Sequence, residues 1–211
     1  MTILILQTGE PLDIDKGGMR PMRAINLSNK LNEENIKVEL ISSVFDHTKK
    51  IHRKNFKIKD NSKLRKTYLL KSPGYKSNIS LERIFDHFLM SLSLIKYLLK
   101  KRNKPNLVFI GFPPIETAFI MSIYCRWNNI PYVLDIKDLW PFIFIEHFPI
   151  KFRKIFTYLL IPYMIMANYC SAKAAIITGP SKGYLNSIKK LFKINPRTKI
   201  LLFPLSSENK N

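Results

Sequence analysis

Short apolar runs alternate along the chain with longer stretches in which apolar residues recur every three or four positions. That alternation is the signature of strands and crossover helices, and it predicts a mainly parallel, doubly wound α/β sheet. Thr2-Ile-Leu-Ile-Leu-Gln7 is the first strand, followed by the loop Thr8–Gly18. A helix is expected from about Met19 to Glu34, with Met22, Ile25, Leu27 and Leu31 on its buried side. Lys37–Ser43 is the second strand, and Thr67–Leu70 a further short one. Then come a helix from Leu81 to Arg102, a strand at 106–111 and a helix from Pro114 to Asn128. Pro113-Pro114 matches the preference of proline for a first helical turn. The pattern closes with a strand at 131–136, a helical region at 150–171, a strand at 174–178, a helix from Ser181 to Phe192 and a strand at 199–203. Six or seven strands make one Rossmann-like domain over residues 1–205, with helices on both faces and a frayed polar tail at 206–211.

The 211 residues and 46% apolar content support a real core, so the chain is globular. Charge changes the picture: 35 Lys and Arg against 15 Asp and Glu, a formal +20. Such a surplus points to an anionic partner, although Lys- and Asn-rich coding bias produces the same excess. The excess is clustered between His47 and Lys71, between Lys96 and Lys104, and between Lys182 and Lys199. The segment 47–66 is expected to be an exposed excursion. Phe56 and Tyr68 are too few aromatics for a single-stranded nucleic-acid surface, and no zinc-finger, RNP or helix-turn-helix pattern is present. A membrane or phosphate partner fits better than a specific nucleic acid. Cys125 and Cys170 lie in apolar helical contexts and are expected to be buried free thiols. The N-terminus lacks a basic lead and cleavage site. The apolar run 155–167 falls short of the roughly 20 residues that span a bilayer. With Pro162 inside, it is expected to be a kinked helix, buried or lying on a membrane.

The densest candidate chemistry is Tyr132-Val-Leu-Asp-Ile-Lys-Asp-Leu-Trp-Pro141. A strand runs directly into Asp135, Lys137, Asp138 and Trp140, at the carboxyl edge where parallel sheets bind ligands. Asp138 capping a helix and Trp140 filling the core are the bland alternatives. Gly17-Gly18, between strand and helix, permits close approach of a phosphate to backbone amides, or forms a simple turn. Arg20 and Arg23 complete an anion site or remain solvated. Glu116 sits near a helix start at the same sheet edge, where the helix dipole alone favours it. His47 follows the second strand as a base or donor, or is uncommitted. Glu10, Asp13 and Asp15 have no decisive spacing. His52, His87 and His147 lack metal-site spacing, and no P-loop, nucleophile elbow or zinc-spaced cysteine pair is present, so neither a metal nor a cofactor is expected.

Taken in order, Thr8-Gly-Glu-Pro-Leu with Gly17-Gly18, Arg23-Ala, Phe45-Asp-His47, Gly111-Phe-Pro-Pro-Ile-Glu116, Asp135-Ile-Lys-Asp-Leu-Trp-Pro141 and Ile177-Thr-Gly-Pro-Ser181 resemble the N-terminal half of bacterial GT-B glycosyltransferases of family 4. The nearest branch serves capsule and O-antigen polysaccharides. The resemblance covers about residues 3–205, and Lys137 stands where Arg is more usual. It implies an acceptor-side domain facing a second, donor-binding domain across a cleft. By the same resemblance Gly17-Gly18 reaches the donor diphosphate, Asp135, Lys137 and Asp138 border the reacting sugar, and Trp140 shapes the acceptor pocket. Anomeric retention without a divalent metal is implied.

The paired glutamates and the Arg/Lys clamp of the donor domain are absent from the sequence. Without them the leaving diphosphate loses electrostatic stabilisation and the donor loses its seat. The chain alone is therefore expected to be inactive, as a truncated or split enzyme whose partners are a nucleotide-sugar donor, a lipid-linked glycan acceptor and a separate donor-domain chain. Lipid-linked acceptors place it in the cytoplasm, peripheral on the inner face of the bacterial membrane, where each Lys or Arg contributes about 1 kcal/mol against anionic lipid. A non-catalytic scaffold that recruits a catalytic partner to that surface is the alternative.

Overall fold

The structure, a computed structural model, describes residues 1–15, 22–53, 60–62, 64–146 and 149–204. Contacts divide it into two compact units, one built on Met1–Ile110 and one on Gly111–Pro204. Among the described residues, seven strands run in parallel ladders, so the mainly parallel, Rossmann-like α/β class expected from the alternation is the class observed.

In the first unit, β1 (Thr2–Leu6) lies between β2 (Lys37–Ser43) and β7 (Leu107–Phe112), both parallel to it. Beyond β2 come β6 (Arg65–Leu70), parallel, and β5 (Asp60–Ser62), antiparallel. The order is β7-β1-β2-β6-β5. The crossover through α1 (Arg23–Glu33) steps one way from β1, and that through α2 (Leu81–Lys100) steps back from β6 to β7. Right-handed crossovers in opposite directions cover both faces of the sheet. That explains why Ile3 to Leu6 are buried without alternation. A short hairpin, β3 (Phe45–Asp46) with β4 (Ile51–His52), follows β2.

In the second unit, α3 (Ile115–Trp127), β8 (Tyr132–Ile136), α4 (Phe142–Glu146), α5 (Ile150–Lys173), β9 (Ile176–Gly179), α6 (Lys182–Leu191) and β10 (Lys199–Leu202) follow one another. The ladder runs β10-β9-β8, with every residue of β8 buried and β10 a largely exposed edge. Cys125 and Cys170 are buried free thiols, as expected, and burial pushes both up to about 12.

Several expectations change. α1 begins at Arg23 after an extended Met22, not at Met19, and Met19 itself lies outside the described residues. Pro114 is the extended residue before α3 and not its first helical residue. The stretch 47–66 is not a uniformly exposed excursion: it carries β4 and β5, and its Arg53 and Arg65 are buried. Buried guanidinium groups are tolerated because each is paired, Arg53 with Asp15 and Arg65 with Asp13. The sequence pattern does not predict α4, which begins directly after Pro141. α5 is 24 residues long with Pro162 inside it and is, by length and composition alone, long and apolar enough to cross a bilayer. Its exposed residues include Ile150, Phe152, Ile155, Tyr158, Leu159 and Ile165, so the first half of the helix is not a core element.

Candidate functional site

The second unit gathers most of the expected chemistry at the carboxyl end of β8. Because β8 is buried on both faces, Asp135 is enclosed like its apolar neighbours, with no exposed surface. A charge there requires donors, and Thr178, its register partner on β9, gives one: Thr178 Oγ1 donates to Asp135 Oδ1 at 2.7 Å. Lys137 Nζ stands 3.9 Å from Asp135 Oδ2. That contact is long for an ion pair, and burial wins over it, holding the Lys137 amine down to about 7. The Lys137 backbone is fixed at both ends, its N–H donating to Phe112 O at 3.0 Å and its carbonyl accepting from the Tyr184 hydroxyl at 2.9 Å. Asp135 therefore does not face an open cleft; it positions Lys137 from beneath.

Asp138, one residue on, is exposed. Its charge reaches Tyr184, whose hydroxyl is pushed up by burial first and by Asp138 second. Gly179 lets α6 approach closely enough to place Tyr184, since a Cβ at that position would lie 2.8 Å from Leu185 Cδ2. Trp140 is half-buried, edge-to-face with Phe144 at 4.9 Å and tilted against Tyr163 at 5.8 Å. Glu116, half-buried in the first turn of α3, hydrogen-bonds the same Tyr163, whose hydroxyl is raised by burial and then by that carboxylate. Two groups result, Asp135, Lys137 and Asp138 through Thr178 and Tyr184, and Trp140 with Glu116 through Tyr163. Residues 138–140 join them.

Of the other expected site residues, Gly17, Gly18 and Arg20 lie outside the described residues. Arg23 is buried, not solvated. His47 belongs to the first unit, beside Tyr75 and Lys50. The loop carboxylates with no decisive spacing are anchors: Glu10 Oε2 accepts from Ala24 N–H at 2.9 Å, and Asp15 takes Arg53 bidentately at 2.6 and 2.7 Å. Sequence reasoning missed Tyr163, Thr178 and Tyr184, since a tyrosine or threonine in a helix or strand carries no signal of what it faces. Among the described residues no group of three or more His, Cys, Asp or Glu is arranged to hold a metal ion.

The first unit also contains a cavity of about 820 Å³ between β6 and α2. Tyr68, Leu69, Leu89 and Leu92 supply apolar wall, and Lys71, Lys96 and Lys100 supply positive charge. Along α2, Leu81, Ile84, Phe85, Phe88, Leu92, Ile95 and Leu99 form an exposed apolar stripe at helical spacing.

Chemically, the β8 end offers an exposed carboxylate able to accept a hydroxyl proton, an amine that gains or loses its proton near neutrality, and a half-buried indole packed against Phe144 and Tyr163.

No protein-family model matches the chain, and no curated protein matches it significantly. Solved structures do. A chain of sucrose-phosphate synthase from Thermosynechococcus elongatus is 10% identical with a TM-score of 0.61, the match covering 99% of this chain and 91% of that one. A second structure of that synthase is 10% identical with a TM-score of 0.59, covering 96% of this chain and 47% of that one, so the chain spans about half its length. The likeness is one of fold: this chain has the Rossmann-like fold of GT-B glycosyltransferases.

Proposed function

We propose that the chain is the acceptor-side domain of a glycosyltransferase that moves a sugar from a nucleotide sugar to a lipid-linked glycan of a surface polysaccharide. The observation that carries this is the exposed Asp138 set between an anchored Lys137 and a half-buried Trp140 on a glycosyltransferase fold. In this reading Trp140 offers its face to an acceptor sugar ring, and Asp138 accepts the proton of the attacking hydroxyl. Lys137, held from beneath by Asp135, supplies a donor whose charge follows pH near neutrality. Glu116 fixes Tyr163, and Tyr163 in turn backs Trp140.

A lipid-linked acceptor is amphiphilic, and the first unit suits one. The apolar stripe of α2 and the lysine-edged cavity beside it combine greasy surface with positive charge. In the second unit the exposed half of α5 adds apolar area. We infer peripheral binding at an anionic membrane face, with attraction from the +20 excess. Sedimentation with phosphatidylglycerol vesicles, lost at high salt, supports it; equal sedimentation with neutral vesicles counts against it.

The functional test is transfer of radiolabel from a panel of UDP-, GDP- and dTDP-sugars to lipid-linked glycans, in membranes of cells expressing the chain together with a separate donor-domain chain. Asp138→Asn and Trp140→Ala lower transfer by ~100-fold or more while the protein stays folded. Transfer unchanged in both variants overturns the proposal. Membrane binding with no transfer under any condition supports the scaffold alternative.

A further inference from the structure

Four nitrogen-bearing side chains converge on one buried tyrosine in the first unit. Tyr75 is 7% exposed. Lys50 Nζ lies 4.0 Å from its ring centroid and Arg83 Cζ 5.6 Å, with the His47 ring at 5.8 Å and the His87 ring edge-on at 6.3 Å. They arrive from separate elements: His47 and Lys50 from the turn between β3 and β4, Arg83 and His87 one turn apart on α2. The Tyr75 hydroxyl meets His47 Nδ1, and Lys50 Nζ bonds Asn78 Oδ1 at 2.5 Å and approaches His47 Nδ1 at 3.4 Å. Lys50 reaches this place from a left-handed backbone, φ 57°, a conformation that residues with a Cβ rarely adopt.

Two carboxylates are near, and both are committed to backbone turns. Asp46 Oδ1 accepts the N–H groups of Thr48 and Lys49 at 2.9 and 3.1 Å. Asp86 Oδ1 accepts the Ser72 hydroxyl and the Gly74 N–H, holding the turn that presents Tyr75. Lys50 and Arg83 offset Asp46 and Asp86, and Lys49 and Lys76 against Glu82 on the rim leave a surplus of one positive charge. Burial, and then Lys50, Arg83 and His87, drive the His47 imidazole down to about 4, against the weaker pull of Asp46. The remaining charged groups at this end, Lys49 beside Asp46, and Lys76 with Glu82 at the start of α2, lie on its rim. His52 is turned away, bonding Ser72 O.

We propose that this cluster binds a phosphate group, as a phosphate ester or a diphosphate, and that His47 takes up a proton when it does. Lys50 and Arg83 supply charge, and the Tyr75 hydroxyl and the two imidazoles supply hydrogen bonds, a donor set suited to several phosphoryl oxygens. An anion seated there favours the imidazolium, so binding raises the His47 pKa and tightens as pH falls. The site stands independently of the glycosyl-transfer reading, because its test measures binding and not transfer.

The test is calorimetric titration of the full chain with inorganic pyrophosphate, alongside the histidine ring signals in NMR. Sulfate, whose charge is constant across the range, serves as the probe between about pH 8 and about pH 6. The expected result is one saturable site, proton uptake on binding, sulfate affinity rising at least ~3-fold over that interval, and a His47 signal that titrates upward when ligand is present. Lys50→Met and Arg83→Met weaken pyrophosphate at least ~10-fold, and Lys190→Met, on another basic cluster, leaves it unchanged. Should either variant misfold, the shift of the His47 signal in the unaltered protein decides alone. A soluble sugar phosphate that competes with pyrophosphate marks a substrate group, whereas competition only by phosphatidylglycerol vesicles marks a lipid headgroup. Binding that Lys190→Met weakens equally, or that leaves the His47 signal unmoved, overturns the proposal in favour of general attraction to a +20 surface.

Discussion

Thr178 donates a 2.7 Å hydrogen bond to Asp135 between two strands whose side chains here are both buried, and this bond fixes the carboxylate that stands beneath Lys137. Replacing Thr178 with Val keeps the shape but removes the donor. A buried acceptor stripped of its partner costs about 1–3 kcal/mol. Chemical denaturation of Thr178→Val is expected to show that loss, with Thr178→Ser close to the unaltered protein. Equal stability of all three contradicts the assignment.

Lys137 is expected to titrate near 7 and not at its ordinary 10.5. Its folded pKa lies below the unfolded one, so the cost of burying the ammonium is fully present below about 7. That cost is relieved as pH rises from there towards 10.5, because over that window the unfolded chain holds the extra proton. NMR of ¹³C-methylated lysines reads the midpoint directly. In Asp135→Asn the midpoint falls further, since the carboxylate favouring the charged form is gone. A midpoint at the ordinary lysine value contradicts the burial argument.

The Arg53–Asp15 pair is buried, each side chain 5% exposed, with Arg53 also donating to Ser43 O at 2.6 Å. Removing one partner leaves the other charge enclosed. Arg53→Met is expected to cost about 3–5 kcal/mol, measured by urea unfolding. Burial raises the Asp15 carboxyl, but Arg53, the Leu12 N–H and Lys49 together hold it below 3.8. The stability it contributes is present above 3.8 and lost as pH falls through the lower folded value, so Asp15→Asn flattens the acid limb of the stability curve.

Gly74 has φ 80°, and a Cβ there would lie 2.6 Å from the Phe45 ring. Gly74→Ala is expected to cost about 1–3 kcal/mol from backbone strain, plus displacement of the ring. The same thermal melt should show Gly183→Ala, where a Cβ meets nothing, near neutral or stabilising.

The strands of both ladders were legible because buried parallel strands are continuous apolar runs, and Ile3–Leu6 and Val133–Ile136 are such runs. The cluster around Asp138 was legible for a related reason: charged residues directly after such a run stand at the edge where parallel sheets hold ligands. What hid was pairing at long range. Arg53 and Arg65 read as members of a solvated basic tract, since nothing local shows that Asp15 and Asp13, 38 and 52 residues away, meet them. The helix around Pro162 was legible too, expected at 150–171 and observed at Ile150–Lys173. Tyr163 and Thr178, which bind Glu116 and Asp135 into the site, are ordinary residues in regular elements until those elements pack.

Trp140 gives the most direct test of the proposed acceptor site, because only one other tryptophan exists, Trp127, 84% exposed at the end of α3. Trp127→Phe leaves Trp140 as the sole indole. Titrating that variant with a polyprenyl-diphosphate-linked oligosaccharide in detergent is expected to give a saturable change in emission, weakened at least ~10-fold by Asp138→Asn and absent with polyprenyl diphosphate that carries no sugar. Emission that does not change on saturation with the glycan, or that changes equally with the sugar-free lipid and in Asp138→Asn, contradicts the claim that the end of β8 holds an acceptor sugar.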